Sequence, residues 1–268
     1  MDGDVTEQFA EGGVTLTRSG RRVSIVLANP GKLNAMRLAM WEALGDVCER
    51  LAGEDDLGVV TVEGQGDRAF VAGADISEFG EMRADAASAE RYNSAVARAE
   101  DALEMLPVPV VALIRGYCVG GGLALALRCD LRLARDDSRF AITPARLGLG
   151  YGFDGVAALR RRLGHAVTAD LLFSGRKLGA EEALDKGICD RVIPAEAFEA
   201  ETGAYVETLE GNAPLTLRAV KAALVELDRP APDRDRVDAM VAACFDSADY
   251  REGQRAFAEK RKPRFEGR

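Results

Sequence analysis

Apolar and polar residues alternate with a period near two at the start of the chain. Val14-Thr-Leu-Thr17 and Val23-Ser-Ile-Val-Leu27 flank Ser19-Gly20 and carry β-branched residues, which predicts an antiparallel hairpin. Asn29-Pro30-Gly31 ends it. From Met36 to Leu51 the period lengthens, and Met40, Trp41, Leu44, Val47, Cys48 and Leu51 recur at helical spacing. Gly58-Val-Val-Thr-Val-Glu63 reads as a compact strand, closed by Gly64-Gln-Gly66. The polar, alanine-rich stretch from about Ser77 to Glu104 is expected to contain a helix. Val108-Pro-Val-Val-Ala-Leu-Ile114 is a short, almost wholly apolar strand that runs into Gly116 and the triplet Gly120-Gly121-Gly122. Leu131 to Ala134 and Arg139 to Ile142 predict further short strands, and Gly155 to Leu163 a helix.

Strands alternating with helices predict an α/β core with crossover connections. After about Ala195 the strands cease. Leu217, Val220, Leu224 and Leu227, then Val237, Met240, Val241 and Cys244, keep helical spacing. The chain therefore divides into an α/β core, residues 1–195, and a helical region, residues 196–268. Such an appendage is expected to pack on a neighbouring subunit.

Composition narrows the classes. The 268 residues carry 35 Lys+Arg, 44 Asp+Glu and one histidine, a net charge of −9, which argues against a surface built for a polyanion. The five cysteines lie far apart with no CxxC pair, so neither a disulfide scaffold nor a zinc site is indicated. Met1-Asp2-Gly3-Asp4 lacks a basic-then-apolar leader pattern. Leu106 to Leu127, the most apolar region, is cut by Arg115 and crowded with glycine, so it reads as buried rather than membrane-spanning. The expectation is a reduced, cytoplasmic protein with no nucleic-acid, membrane or metal partner.

The usual catalytic sets are mostly missing. His165 follows Gly164 at a helix junction with no acid fixed beside it, and there is no GxSxG and no Walker loop. The literal GxGxxG at Gly150 to Gly155 follows Thr-Pro-Ala-Arg-Leu-Gly instead of a buried strand, so the dinucleotide-binding context fails. Two glycine segments are more informative: Ala69-Phe-Val-Ala-Gly73-Ala74-Asp75-Ile-Ser-Glu78-Phe79, and Gly116-Tyr-Cys-Val-Gly120-Gly121-Gly122-Leu-Ala-Leu-Ala-Leu. N–H groups at a helix start have no intrahelical partner, and glycine lets a ligand oxygen come close to them. One N–H from each segment would clamp a developing oxyanion. Tight strand-to-helix packing explains the same glycines.

Together the two segments, about 40 residues apart, resemble the enoyl-CoA hydratase/isomerase (crotonase) superfamily. Asn29-Pro30-Gly-Lys32-Leu-Asn34-Ala35, Cys129-Asp130, Leu178 to Gly187, and the ending from Ser247 to Gly253 and Phe257 to Pro263 fit as well, so the resemblance covers nearly the whole chain. It implies a spiral of ββα units with a C-terminal helical trimerisation region, and trimers or hexamers. It implies an acyl-CoA thioester substrate, coenzyme A being part of the substrate and no separate cofactor being needed. The backbone N–H groups of Ala74 and Gly121 would form the oxyanion hole. Lys32 and Leu33, with Ala72, Asp75 and Ile76, would line the adenine and pantetheine path. Lys260, Arg261, Lys262 and Arg264 would meet CoA phosphates, of a neighbouring subunit, or form a solvated tail.

The sequence departs from this pattern where hydratases of the family carry two glutamates: the positions are Ala124 and Ala145. Alanine moves no proton. Asp154, Glu78 and Tyr151 are the candidate replacements; Asp154 reads equally as a helix N-cap and Tyr151 as a pocket wall. Asp75 reads as a residue holding its own loop, and Arg146 as a partner of a substrate carboxylate or of a structural one. Thr143 to Tyr151 also resembles methylmalonyl-CoA decarboxylases of the superfamily, in which a tyrosine sits at the position of Tyr151, although these can carry histidine where this chain has Ala74. The expected activity is that of an enoyl-CoA hydratase-like lyase or isomerase stabilising a thioester enolate. A malonyl-type decarboxylase and a non-catalytic acyl-CoA-binding protein are the alternatives.

Overall fold

A computed structural model describes residues 4–78, 80 and 86–268. Met1 to Gly3, Phe79 and the part of the predicted helical stretch at 81–85 lie outside the described residues. The hairpin forms as expected: β2 (Val14–Ser19) and β3 (Arg22–Leu27) pair antiparallel with Val14 opposite Leu27. A further strand, β1 (Val5–Phe9), adds to its outer edge. Parallel to β3 then run β4 (Val59–Gly64), β6 (Val110–Ile114), β8 (Leu131–Arg135) and β11 (Arg191–Ile193), giving a seven-stranded sheet ordered β1-β2-β3-β4-β6-β8-β11. The residues between these strands build a second sheet from β5 (Ala69–Val71), β7 (Tyr117–Val119), β9 (Arg139–Ala141) and β10 (Leu178–Gly179), in the order β10-β9-β7-β5. Three successive turns of the chain, β4-β5, β6-β7 and β8-β9, each contribute a long strand to the first sheet, a short one to the second, and then a helical segment. This is the spiral of ββα units, an α/β fold with a helical C-terminal region.

The β6 residues are all buried because both faces of the large sheet are covered. Alternate residues face opposite sides. Val110, Ala112 and Ile114 join Val60, Val62 and Ile25 in the main core, under α1 (Leu38–Ala52) and α2 (Ala86–Glu104). Trp41 Nε1 donates to Tyr92 Oη at 3.0 Å, joining these two helices. Val59, Val111, Leu113, Leu133 and Ile193 face the other way, against Phe198 and Val206 of α7 (Phe198–Glu210). The helical region thus begins with a helix that covers the back of the sheet.

Four more helices lie between: α3 (Gly121–Arg128), α4 (Pro144–Leu147), α5 (Phe153–Ser174) and α6 (Ala180–Asp185). Gly164 breaks α5 with φ 74° and ψ 174°, so the helix predicted to end at Leu163 does end there and a second begins at exposed His165. At the C-terminus follow α8 (Pro214–Leu227), α9 (Arg234–Asp246) and α10 (Ala248–Ala258). Buried Lys221 of α8 donates to both carboxylate oxygens of Asp130 at 2.7 and 2.8 Å, and Arg218 donates to the carbonyls of Glu54, Asp55 and Leu57. These bonds pin the C-terminal helices to the body. Their outer side exposes Val220, Leu224, Leu227, Phe245 and Phe257 beside an apolar groove of about 660 Å³. Among the described residues no helix is long and apolar enough to cross a membrane.

Candidate active site

The first glycine segment is held open by the chain just before α1. Ala72 N–H donates to Leu33 C=O, Met36 N–H to Gly73 C=O and Asp75 N–H to Met36 C=O, at 3.1, 2.8 and 2.9 Å. Met36 thus pairs, in parallel sense, with the residues on either side of Ala74. In such a bridge the intervening N–H points the opposite way. Ala74 N–H is accordingly left without a backbone partner among the described residues. Leu33 and Asn34 have positive φ (52° and 57°), and buried Asn34 fixes the turn by donating to the carbonyls of Gln65 and Ala69.

Asp75 locks the same loop. Ser77 donates to its Oδ1 from N–H at 3.0 Å and from Oγ at 2.6 Å, Asn29 Nδ2 donates to its Oδ2 at 3.1 Å, and Lys32 Nζ stands 3.8 Å away. Burial opposes its ionisation, but the hydrogen bonds from Ser77 and Asn29 and the Lys32 charge hold the carboxyl below its usual value. Glu78 accepts from Leu38 N–H at 2.8 Å, at the start of α1. That candidate acid is committed to a helix N-terminus.

The second segment meets the first at its glycines. Gly120 has φ 57° and ψ −124°, and a Cβ on it would stand 3.5 Å from Gly73 Cα. Its N–H donates to Ala141 C=O, and its C=O accepts from Leu123 and Ala124. Gly121 N–H, at the first turn of α3, is left without an intrahelical partner. Gly122 is different: a Cβ there would lie 2.3 Å from the Val71 carbonyl oxygen, so close packing of α3 on β5 demands this glycine.

One turn beyond Gly121, about 4.5 Å along the axis, half-buried Ala124 faces a cavity of about 20 Å³, room for one water. Tyr151, Leu127, Arg128 and Glu100 share its wall. Glu100, only 7% exposed, was not singled out from the sequence; the available signal is a carboxylate flanked by Ala99 and Leu103 on the buried side of an amphipathic helix. Its partner is Arg128, at 3.2 Å, which Glu104 and Asp101 also engage. Burial raises the Glu100 carboxyl to about 7 although Arg128 opposes the shift. Burial and then the Glu100 charge also raise the Tyr151 hydroxyl.

The other predicted residues lie apart from this cavity wall. Asp154 is exposed, inside the first turn of α5, and forms no hydrogen bond or ion pair among the described residues; the N-cap is Gly152. Ala145 is exposed on α4, as is Arg146, whose side chain runs along Gly175. Lys32 is half exposed and Ile76 67% exposed; neither lines the cavity of about 170 Å³ formed by Asn29, Leu33, Gln65 and Arg68. Exposed Lys260 sits on a tail whose hydrogen bonds and ion pairs run to Asp249, Glu252 and Ala248, and none reaches residues 29–78. Burial pushes the Cys48 and Cys129 thiols up to about 12, so they are inert as nucleophiles. Among the described residues no group of three or more His, Cys, Asp or Glu is arranged to hold a metal.

Residues 20–268 match the enoyl-CoA hydratase/isomerase family. The chain is 33% identical over 263 residues to carnitinyl-CoA dehydratase of Proteus mirabilis, covering 94% of this chain and 98% of the relative. It is 29% identical over 251 residues to methylmalonyl-CoA decarboxylase of Escherichia coli, covering 92% of this chain and 95% of that one. Among solved structures it is similar to an enoyl-CoA hydratase/carnithine racemase from Magnetospirillum magneticum, with TM-score 0.92 and 34% identity over 99% of this chain and 97% of that chain.

Proposed function

This chain belongs to the enoyl-CoA hydratase/isomerase family, and from that premise we propose that it stabilises the enolate of an acyl-CoA thioester between the backbone N–H groups of Ala74 and Gly121. The observation that carries this reading is the pair of N–H groups without a backbone partner among the described residues, on two segments in contact through Gly73 and Gly120. Fixed dipoles stabilise charge as it develops on the thioester oxygen without having to reorganise. The donors are backbone groups, so they do not depend on acids at positions 124 and 145. The reaction is of the lyase or isomerase type, with hydration of an enoyl-CoA as its nearest label.

Lys32, Leu33, Ala72, Asp75 and Ile76 line the path of the CoA moiety in this reading. Lys32 offers charge to a phosphate, Ile76 an exposed apolar side chain, and Asp75 holds the loop that carries both. Lys260 reaches the CoA from a neighbouring subunit, and the apolar outer side of α8, α9 and α10 is the surface on which a trimer, or a pair of trimers, assembles.

One observation favours a second reaction on the same hole. Both Ala124 and Ala145 lack an ionisable group. Loss of CO2 from a malonyl-type thioester leaves the bond's electron pair on the α-carbon and makes the same enolate without a base. The test is mass spectrometry after incubation with crotonyl-CoA and, separately, methylmalonyl-CoA. A gain of water on the first supports hydration; loss of CO2 from the second supports decarboxylation. Binding of both with neither mass changed would overturn the enzymatic reading in favour of a binding protein.

A further inference from the structure

The proposed enolate must take a proton on its α-carbon whichever reaction forms it, and the side chains near α3 narrow the donor. Asp75 is tied to Ser77 and Asn29, and Glu78 to the start of α1. Asp154 is exposed and lines no cavity with Ala124. Glu100 is the carboxyl that lines the water-sized cavity beside Ala124, together with Tyr151. Arg128 engages it at one carboxyl oxygen, Oε2, from Nε at 3.3 Å and Nη2 at 3.2 Å, and shares its guanidinium with Glu104 and Asp101. Glu104 is further engaged by Arg161 and Arg162.

We propose that Glu100, acting through one water molecule in the cavity beside Ala124 and Tyr151, is the proton donor to the α-carbon of the enolate held at Ala74 and Gly121. This rests on the thioester-enolate reading above. The carboxylic acid gives its proton to the water as the water gives one to the α-carbon. The enolate electron pair becomes the new C–H bond, the carbonyl re-forms, and Glu100 is left as carboxylate beside Arg128. Run in reverse, the carboxylate takes a proton from the water, the water takes the α-proton, the C–H pair becomes the C=C bond of the enolate, and the carbonyl π pair moves onto the carbonyl oxygen. The groups facing Glu100 are Asp101 and Glu104 on its own helix, Arg128 from α3, and Tyr151, Arg161 and Arg162 from the α5 side. With a carboxyl raised to about 7 by burial, both directions are open near neutral pH.

The reverse step can be read without knowing the natural substrate, by following deuterium incorporation at the α-carbon of butyryl-CoA in D2O. The full-length protein is expected to exchange, with a rate that rises with pH to a plateau and a midpoint near 7. Glu100→Gln is expected to bind butyryl-CoA unchanged and to exchange at least about 100-fold more slowly. Exchange at the wild-type rate in that variant overturns the role of Glu100 and leaves the enolate reading standing. Absence of exchange in the wild-type protein with butyryl-CoA bound overturns the enolate reading, and this proposal with it. Should Glu100→Gln not fold, the wild-type profile decides: a midpoint near 7 supports the proposal, and a flat profile through that region overturns it.

Discussion

Gly73 and Gly120, 47 positions apart in the sequence, meet so closely that a Cβ on Gly120 would stand 3.5 Å from the Cα of Gly73. Both have positive φ, 105° and 57°. Each loop needs glycine for its own conformation and again for the approach of the other. The contact brings together the two segments that carry Ala74 and Gly121.

Adjacent glycines of the triplet should respond differently to substitution. Gly122→Ala is expected to destabilise the fold by roughly 1–3 kcal/mol or more, because the methyl group meets the Val71 carbonyl on β5. Gly121→Pro removes the proposed donor at a first-turn position, where proline's missing N–H breaks no helical bond. It is expected to lower kcat by about 10²–10³-fold with circular dichroism unchanged. Urea denaturation and turnover, measured on both variants, separate the two roles.

Lys221 and Asp130 form a buried pair linking α8 to the sheet, and Asp130 also accepts from Val110 N–H at 2.8 Å. Lys221→Ala is expected to cost about 3–5 kcal/mol, since it leaves an uncompensated carboxylate. Lys221→Arg is expected to recover part of that. Chemical unfolding of the three proteins checks it.

Stability should depend on pH through Glu100. Its carboxyl lies at about 7 in the folded protein against an ordinary value of 4.5, so between these values the folded state holds a proton that the unfolded state has lost. Stability is full below 4.5, falls as pH rises toward about 7 and levels beyond it. Glu100→Gln is expected to remove this part of the slope in denaturation curves taken across the window.

Phe257 and Leu227 are 88% and 75% exposed on the C-terminal helices, and large apolar side chains exposed beside an apolar groove mark an interaction surface. The wild-type chain is expected to sediment as a trimer or a multiple of it, and Leu227→Ser with Phe257→Ser as a monomer. A monomeric wild type at micromolar concentration would sink the assembly proposal.

The hairpin, the buried strands and α1 were legible because their hydrophobic period matches one covered face. Strand β1 was not: it lies at the sheet edge with exposed and half-buried residues, so its sequence carries no core-facing stripe. The two segments that carry Ala74 and Gly121 were legible as tight turns through their glycines. The commitment of Glu78 to Leu38, 40 residues earlier, and the burial of Glu100 against Arg128, 28 residues later, are products of chain crossing, which no local spacing encodes. Asp154 was singled out for its place before a helix, yet that helix starts at Phe153, leaving Asp154 in its first turn.

The bonds from Leu33 and Met36 to Ala72, Gly73 and Asp75 weld two stretches of chain into one rigid bracket, with Lys32 at one end and Ala74 at the other. A bracket of this kind acts as a fixed gauge. A ligand that spans it must match its length, so selection among ligands of different size has to fall outside it.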